Sequence, residues 1–138
     1  MSADPMRADE AARRPRHVVV VDDDPLFLRF VVRVLESHQL RVSPAEGFAA
    51  AIKIIEGREP VDLLLTDVGL GRGSPHGVVL SNMAQLKRHR LKVILMSGSY
   101  DVRQVAEYAN PVVVLQKPFA PQQLIGAVMA ALEPSTAI

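Results

Sequence analysis

Four short apolar runs in this sequence each end at polar residues of types that can do chemistry. These residues are Asp22, Asp23 and Asp24 after the first run, Asp67 after the second, Ser97 at the end of the third and Lys117 after the fourth. If the runs are parallel strands, their carboxyl ends share one edge of a sheet, and such folds bind ligands at that edge. The sequence therefore predicts several carboxylates, a hydroxyl and an ammonium group at one place.

This set of groups predicts a phosphoryl-transfer site. Clustered carboxylates repel each other and need a cation, and hard oxygen ligands favour Mg²⁺. A lysine and a hydroxyl beside a metal-bound carboxylate can hold the oxygens of a phosphoryl group. The reaction that these groups favour is transfer of a phosphoryl group onto an aspartate. Asp24 is interpreted as a helix cap rather than a ligand, because Pro25 follows it.

The apolar runs are interpreted as strands that are buried on both faces. They are nearly continuous in valine, isoleucine and leucine, a pattern typical of a parallel sheet. The strands predicted in this way are His17–Asp22, Val61–Thr66, Lys92–Ser97 and Val112–Gln116. A weaker strand, Arg41–Ala45, contains Pro44, and a proline suits only the edge of a sheet.

Helical spacing of apolar residues fills the gaps between the strands. The predicted helices are Pro25–Gln39, Gly47–Arg58, Gly77–Arg90, Asp101–Ala109 and Ala120–Leu132. Five alternating strand and helix units predict an α/β fold, a doubly wound parallel sheet with helices on both faces.

Composition indicates one folded domain with short tails. The chain has 138 residues, of which 49% are hydrophobic, too many for a disordered chain. We expect a flexible tail over residues 1–16, a domain over 17–133 and a C-terminal tail over 134–138. No apolar run is long enough to span a membrane, no signal peptide is present and there is no cysteine, so a cytoplasmic location is expected.

The charge of the chain argues against direct binding to nucleic acid. The net charge is +1, and from His17 onward the basic and acidic residues balance. A neutral domain with few aromatic residues lacks the basic surface that binds a phosphate backbone.

Taken together, four motifs resemble the receiver domain of bacterial two-component response regulators. They are VVVVDDDP, LLLTD, ILMSG and QKPF, and they occur in this order within residues 17–133. The resemblance implies a flavodoxin-like, CheY-like fold with strand order 2-1-3-4-5, which places the Pro44 strand at the edge. It also implies a cis peptide bond between Lys117 and Pro118.

The resemblance implies a role for each of the polar residues. Asp67 is the implied phosphoacceptor, Ser97 the hydroxyl that turns toward the phosphate, and Lys117 the lysine that contacts it. Asp22 and Asp23 correspond to the acidic pair that positions Mg²⁺. The metal ligands implied in this way are Asp22, Asp23, Asp67 and the backbone carbonyl of Gly69.

The function implied is that of a phosphorylation-dependent signalling switch, a phosphoprotein of a two-component system or phosphorelay. It would not be an enzyme, although it would support its own phosphoryl transfer and dephosphorylation. The expected donor is a sensor histidine kinase or a histidine phosphotransfer protein, and the output is contact with a downstream protein whose identity the sequence does not give. No effector domain follows residue 133, so a stand-alone receiver that contacts neither nucleic acid nor a membrane is expected.

Other interpretations stay open at this point. The chain could act as the receiver module of a hybrid histidine kinase. A phosphatase of the haloacid dehalogenase type would use Asp22 and Asp24 as its Asp-x-Asp motif, but it would leave Asp67 without a role. A nucleotide-binding flavodoxin-like module would need a glycine-rich turn after the first strand, and none is present.

Three features depart from the family pattern. Gly77 follows Asp67 by ten residues, which lengthens the loop between them, and Val114 stands where the family usually has an aromatic residue. Ser97 and Lys117 are only 20 residues apart, which predicts a short or irregular fourth helix. We therefore expect phosphorylation to reorganise the loops 68–77 and 97–101 more than the surface formed by residues 101–132.

Overall fold

The structure is a computed structural model that describes residues 14–70, 76–98 and 113–134. Strands and helices alternate along them in this order: β1 His17–Val21, α1 Pro25–Glu36, β2 Arg41–Ala45, α2 Phe48–Ile55, β3 Leu63–Asp67, α3 His76–Lys87, β4 Lys92–Ser97, β5 Val113–Gln116 and α4 Pro121–Leu132. The helix predicted over Asp101–Ala109 and part of the loop 68–77 lie outside the described residues.

The five strands form one parallel sheet in the order β2-β1-β3-β4-β5. The predicted fold class and strand order are therefore confirmed. Pro44 lies in β2 at the edge of the sheet, where a residue without a backbone N–H does not interrupt a central ladder.

Continuous hydrophobicity in the central strands is explained by helices on both faces. Alternate residues of a strand point to opposite faces. Val19 and Leu64 belong to the core cluster that includes α2 and α3, whereas Val18 and Leu65 belong to the cluster that includes α1 and α4. Every residue of β1 is buried, so its carboxyl end is fixed firmly in the sheet.

Helix α1 begins as the sequence predicts and ends earlier. The Asp24 carboxylate accepts hydrogen bonds from the backbone N–H groups of Leu26 and Phe27, at 3.0 and 3.3 Å, which confirms Asp24 as the N-cap. The helix ends at Glu36 rather than Gln39, because Gln39 takes the left-handed conformation with φ of 64°.

Helices α2 and α3 end at Ile55 and Lys87, before the predicted ends at Arg58 and Arg90, and the two ends contact each other. Arg88 lies just beyond α3, and its guanidinium donates to the carbonyl oxygens of Ile55 and Gly57 at 2.9 and 2.8 Å. These carbonyls lie at the carboxyl end of α2, where unpaired acceptors need a donor. A single arginine beyond the end of α3 thus supplies hydrogen-bond donors to carbonyl groups at the end of α2.

Arg14 and Arg16, just before β1, and His17, its first residue, contact the amino-terminal edge of the sheet. Arg14 and Arg16 lie 3.2 and 3.6 Å from a carboxylate oxygen of Asp62. Buried His17 has one ring nitrogen 2.8 Å from the Pro60 carbonyl and the other 2.7 Å from the Ser43 hydroxyl. The division into tails and a domain over 17–133 stays a prediction.

Gly77 is predicted to tolerate no larger side chain, because α3 packs directly beneath the end of β3. A Cβ atom on Gly77 would lie 2.0 Å from the carbonyl oxygen of Asp67. Gly77→Ala should lower the free energy of unfolding by about 1–3 kcal/mol, as overpacking generally does. The measurement is urea unfolding of the wild type and the variant.

Gly126→Ala is the matched control, since nothing lies within 4 Å of a Cβ there and the residue is an exposed position of α4. This variant should raise the free energy of unfolding by roughly 0.5–1 kcal/mol, the usual gain from alanine in a helix. Equal effects at the two positions would contradict the close packing of α3 against Asp67.

Candidate functional site

Three acidic side chains meet at the carboxyl edge of the sheet. Asp22 and Asp23 follow β1, and Asp67 is the last residue of the neighbouring strand β3. One carboxylate oxygen from each lies within 4.8 Å of those from the other two. Asp22 is buried, Asp67 is partly buried and Asp23 is exposed. The structure thus brings together the three aspartates that the sequence placed at strand ends.

Lys117 inserts its ammonium group into this acidic cluster. Its Nζ lies 2.8 Å from Oδ2 of Asp22 and 3.4 Å from Oδ1 of Asp67. The backbone N–H of Lys117 donates to the carbonyl oxygen of Ser97 at 2.8 Å, which ties the residue to the end of β4. The Lys117–Pro118 peptide bond is cis, as the resemblance implies.

Asp22 is held on both of its carboxylate oxygens. Oδ1 accepts a hydrogen bond from the backbone N–H of Asp24 at 2.9 Å, and Oδ2 accepts one from Lys117. A buried carboxylate is tolerated only when it is paired and hydrogen-bonded. Asp22 therefore serves as the fixed anchor of the lysine, whereas Asp23 faces solvent.

Burial and neighbouring charges shift the pKa values of Asp67 and Lys117. Burial raises the pKa of Asp67, and the charges of Asp22 and Asp23 add to that shift, whereas Lys117 opposes it. For Lys117, burial alone would lower the pKa, but the hydrogen bond and charge of Asp22, together with Asp67, raise it. The ammonium therefore stays charged, and the negative charge on Asp67 is incompletely compensated.

Ser97 lies at the same edge of the sheet, at the end of the strand next to β3. The residue ends β4, whose Met96 is paired in register with Asp67 of β3. Its side chain is buried, and Oγ has no hydrogen-bond partner among the described residues. Buried hydroxyls are usually paired, and among the described residues this one is not.

The remaining predicted residues lie at the margins of the site. Gly69 is exposed in the loop that follows β3, and its role as a metal ligand stays a prediction. Val114 is partly buried and packs against the core cluster on the α2 and α3 face. The effect of Val114 on switching and the expected changes in the loops stay predictions. Residues 71–75 and 99–112, which include parts of those loops, lie outside the described part of the chain.

Sequence reasoning missed Phe27 as a residue of the site. Its ring centroid lies 4.2 Å from Nζ of Lys117, and its ring packs against Phe119 with centroids 5.6 Å apart. The helical pattern identified Phe27 only as an apolar residue of α1. Its place three residues after the Asp24 cap, beside the acidic edge, was the signal that could have identified it.

Within residues 14–70, 76–98 and 113–134, no helix is both long and apolar enough to cross a membrane.

A comparison with protein-family models finds one match. The model of the family described as response regulator receiver domain matches residues 18–129. The transcriptional regulatory protein GlrR of Escherichia coli (strain K12) is 29% identical over 126 residues, which cover 90% of this chain and 28% of that protein. The chain thus spans little more than a quarter of this longer relative.

Solved structures show the same fold. A response regulator receiver protein from Sinorhizobium medicae WSM419 superposes with a TM-score of 0.79 and 22% identity, covering 86% of this chain and 95% of that one. A CheY-like receiver domain protein from Methanospirillum hungatei JF-1 gives a TM-score of 0.76 and 24% identity, with coverage of 86% and 94%.

The raised pKa of Asp67 predicts that its charge destabilises the metal-free protein. The folded state binds a proton at Asp67 more readily than the unfolded state does. The contribution of Asp67 to the free energy of unfolding is therefore fully present below the ordinary pKa of an aspartate. It is lost as the pH rises through the raised pKa of the folded state. Asp67→Asn should have a higher melting temperature than the wild type at neutral pH in the presence of a chelator.

The difference in melting temperature between Asp67→Asn and the wild type should vanish in acid, where the aspartic acid and the asparagine are both uncharged. Asp24→Asn is the control, because asparagine also caps a helix and Asp24 lies outside the three-aspartate cluster. A lower melting temperature for Asp67→Asn at neutral pH would contradict the inference that Lys117 only partly compensates the cost of burying the Asp67 charge.

Proposed function

This chain belongs to the family of response regulator receiver domains, and on that premise we propose that Asp67 is the phosphoacceptor of a signalling switch. The family is a signalling module rather than an ordinary enzyme. The observation that carries the proposal is the Lys117 ammonium, which contacts both the buried Asp22 and Asp67. A lysine fixed there can neutralise a phosphoryl group attached to Asp67.

In the proposed reaction, a carboxylate oxygen of Asp67 attacks the phosphorus atom of a phosphohistidine on the donor protein. The new oxygen–phosphorus bond forms as the phosphorus–nitrogen bond breaks, and the nitrogen keeps the electron pair of the broken bond. Lys117 compensates the charge on the phosphoryl oxygens, and the Ser97 hydroxyl donates a hydrogen bond to one of them. Hydrolysis later returns Asp67 to its free carboxylate, so the proposed switch resets itself.

We propose Mg²⁺ as the cofactor, with Asp22, Asp23, Asp67 and the Gly69 carbonyl as the groups that hold it. Hard oxygen atoms within 4.8 Å of one another suit this ion. Asp23 and Asp67 are its best direct ligands, because both oxygens of Asp22 already accept hydrogen bonds. When bound, the ion would neutralise charge on the transferring phosphoryl group.

The proposed partners are a sensor histidine kinase or histidine phosphotransfer protein as donor and a downstream protein as recipient of the signal. The relative GlrR is named a transcriptional regulatory protein, but this chain spans only 28% of it. Its name therefore describes that longer protein. A stand-alone receiver, a receiver of a hybrid kinase and a cytoplasmic location stay predictions.

The position of Asp24 disfavours the phosphatase alternative. That interpretation needs both carboxylates of an Asp-x-Asp motif, Asp22 and Asp24, in the reaction. Asp24 instead caps α1 through the N–H groups of Leu26 and Phe27. The receiver interpretation also gives Asp67 a role, which the phosphatase interpretation does not.

Labelling by a small phosphodonor tests the acceptor. Incubation with acetyl phosphate and Mg²⁺ should add the mass of one phosphoryl group, because the donor delivers it to the Asp67 carboxylate. Asp67→Asn should lose the label, whereas Asp24→Asn should keep it, since its cap is preserved. Intact-mass measurement reads both variants. A label that persists in Asp67→Asn, or that depends on Asp22 alone, would favour the phosphatase interpretation.

Thermal stability tests the metal. Mg²⁺ that binds only the folded protein stabilises it by about 2.7 kcal/mol at a hundred times its dissociation constant. The wild-type melting temperature should therefore rise with Mg²⁺. Asp23→Ala should abolish the rise and should itself be more stable without metal, because it relieves repulsion among the carboxylates. Asp24→Asn should respond as the wild type does. A wild-type melting temperature that is insensitive to millimolar Mg²⁺ would refute the site.

A further inference from the structure

We propose that Phe27 is a positioning residue for the lysine of this site, an inference that rests on the proposed function. The face of its ring lies against the Lys117 ammonium, with 4.2 Å between Nζ and the ring centroid. This distance is well inside the range in which a cation is attracted by an aromatic ring. Among the described residues, the ammonium of Lys117 thus contacts two carboxylates and one uncharged ring.

The chain fixes Phe27 at this position from two sides. The Asp24 carboxylate accepts the backbone N–H of Phe27 at 3.3 Å, which sets the ring in the first turn of α1. The ring also packs edge-on against Phe119, with centroids 5.6 Å apart and planes at 73°. Because Phe119 follows Lys117 by two residues, Phe27 contacts both the ammonium and the segment that carries it.

An aromatic face suits this position better than a further polar group would. It attracts the ammonium but carries no net charge and accepts no strong hydrogen bond. It therefore does not compete with a phosphoryl group on Asp67 for the N–H donors of Lys117. A lysine side chain is long and flexible, and the ring reduces the number of places that its ammonium occupies before and after transfer.

Phe30 offers a matched control on the same helix. Its ring packs on that of Phe27 with centroids 5.9 Å apart, and it is 36% exposed. Among the described contacts, Lys117 lies over the ring of Phe27 alone. If Phe27 only fills space beside α1, truncating either ring should affect stability and leave the lysine unchanged.

The first measurement is the NMR chemical shift of the Lys117 ε-methylene protons in the full chain without phosphodonor. The ring shields protons above its face, so Phe27→Leu should move this resonance downfield. Phe27→Tyr keeps the ring and Phe30→Leu leaves it in place, so both should retain a shift close to the wild-type value. An unchanged resonance in Phe27→Leu would overturn the contact, whether or not the protein accepts a phosphoryl group.

The second measurement is the initial rate of labelling by acetyl phosphate at saturating Mg²⁺. Loss of one cation–aromatic contact should slow Phe27→Leu by about threefold to tenfold. Phe27→Tyr should restore the rate, and Phe30→Leu should keep it. Urea unfolding of all variants identifies the fraction folded, and rates are compared per folded molecule.

Either of two results would overturn the proposal. One is a labelling rate in Phe27→Leu equal to that of the wild type, and the other is a labelling rate in Phe27→Tyr as slow as that of Phe27→Leu. A wild type that takes no label would instead refute the proposed function and, with it, the role in transfer. The two failures are therefore distinguishable.

Discussion

The site depends on one constraint, namely that a buried carboxylate at the end of β1 needs a permanent positive partner. Asp22 is 1% exposed, and an unpaired charge in that position would be strongly unfavourable. Lys117 supplies the partner at 2.8 Å from a residue far away in the chain. The pairing holds the carboxyl ends of β1 and β5 in fixed relation to Asp67, which lies on the strand between β1 and β4.

The surrounding elements fix the position of the Lys117 ammonium group. Continuous apolar strands fix the sheet edge, and the Asp24 cap fixes the start of α1 beside it. The backbone bond from Lys117 to the Ser97 carbonyl aligns the last two strands. One lysine therefore serves two purposes, since the group that makes the buried Asp22 tolerable is also the group that lies ready beside Asp67.

Much of the fold was predictable because its signals are local. Runs such as VVVV in β1 require burial on both faces, and Pro44 requires an edge. Because the carboxyl ends of parallel strands share one edge of a sheet, the strand pattern alone predicts that Asp22, Asp67 and Lys117 meet there. The roles of these residues came from the resemblance and stay predictions until they are measured.

What the sequence did not predict arises from contacts between distant parts of the chain. Arg88, just beyond α3, donates hydrogen bonds to carbonyl groups at the end of α2, a contact that the sequence pattern does not show. Gly77 approaches the Asp67 carbonyl so closely that only the packed structure reveals the need for glycine. Phe27 has the spacing of an ordinary core residue, and its contact with Lys117 appears only when α1 and the end of β5 lie side by side.

A crystal structure with Mg²⁺ and beryllium fluoride, which mimics a phosphoryl group, would test the central claim most directly. The account predicts that the mimic is bonded to a carboxylate oxygen of Asp67. Lys117 Nζ and Ser97 Oγ should then lie within hydrogen-bond distance of its fluorine atoms. A mimic bonded to Asp22, or a lysine that makes no contact with the mimic on Asp67, would contradict it.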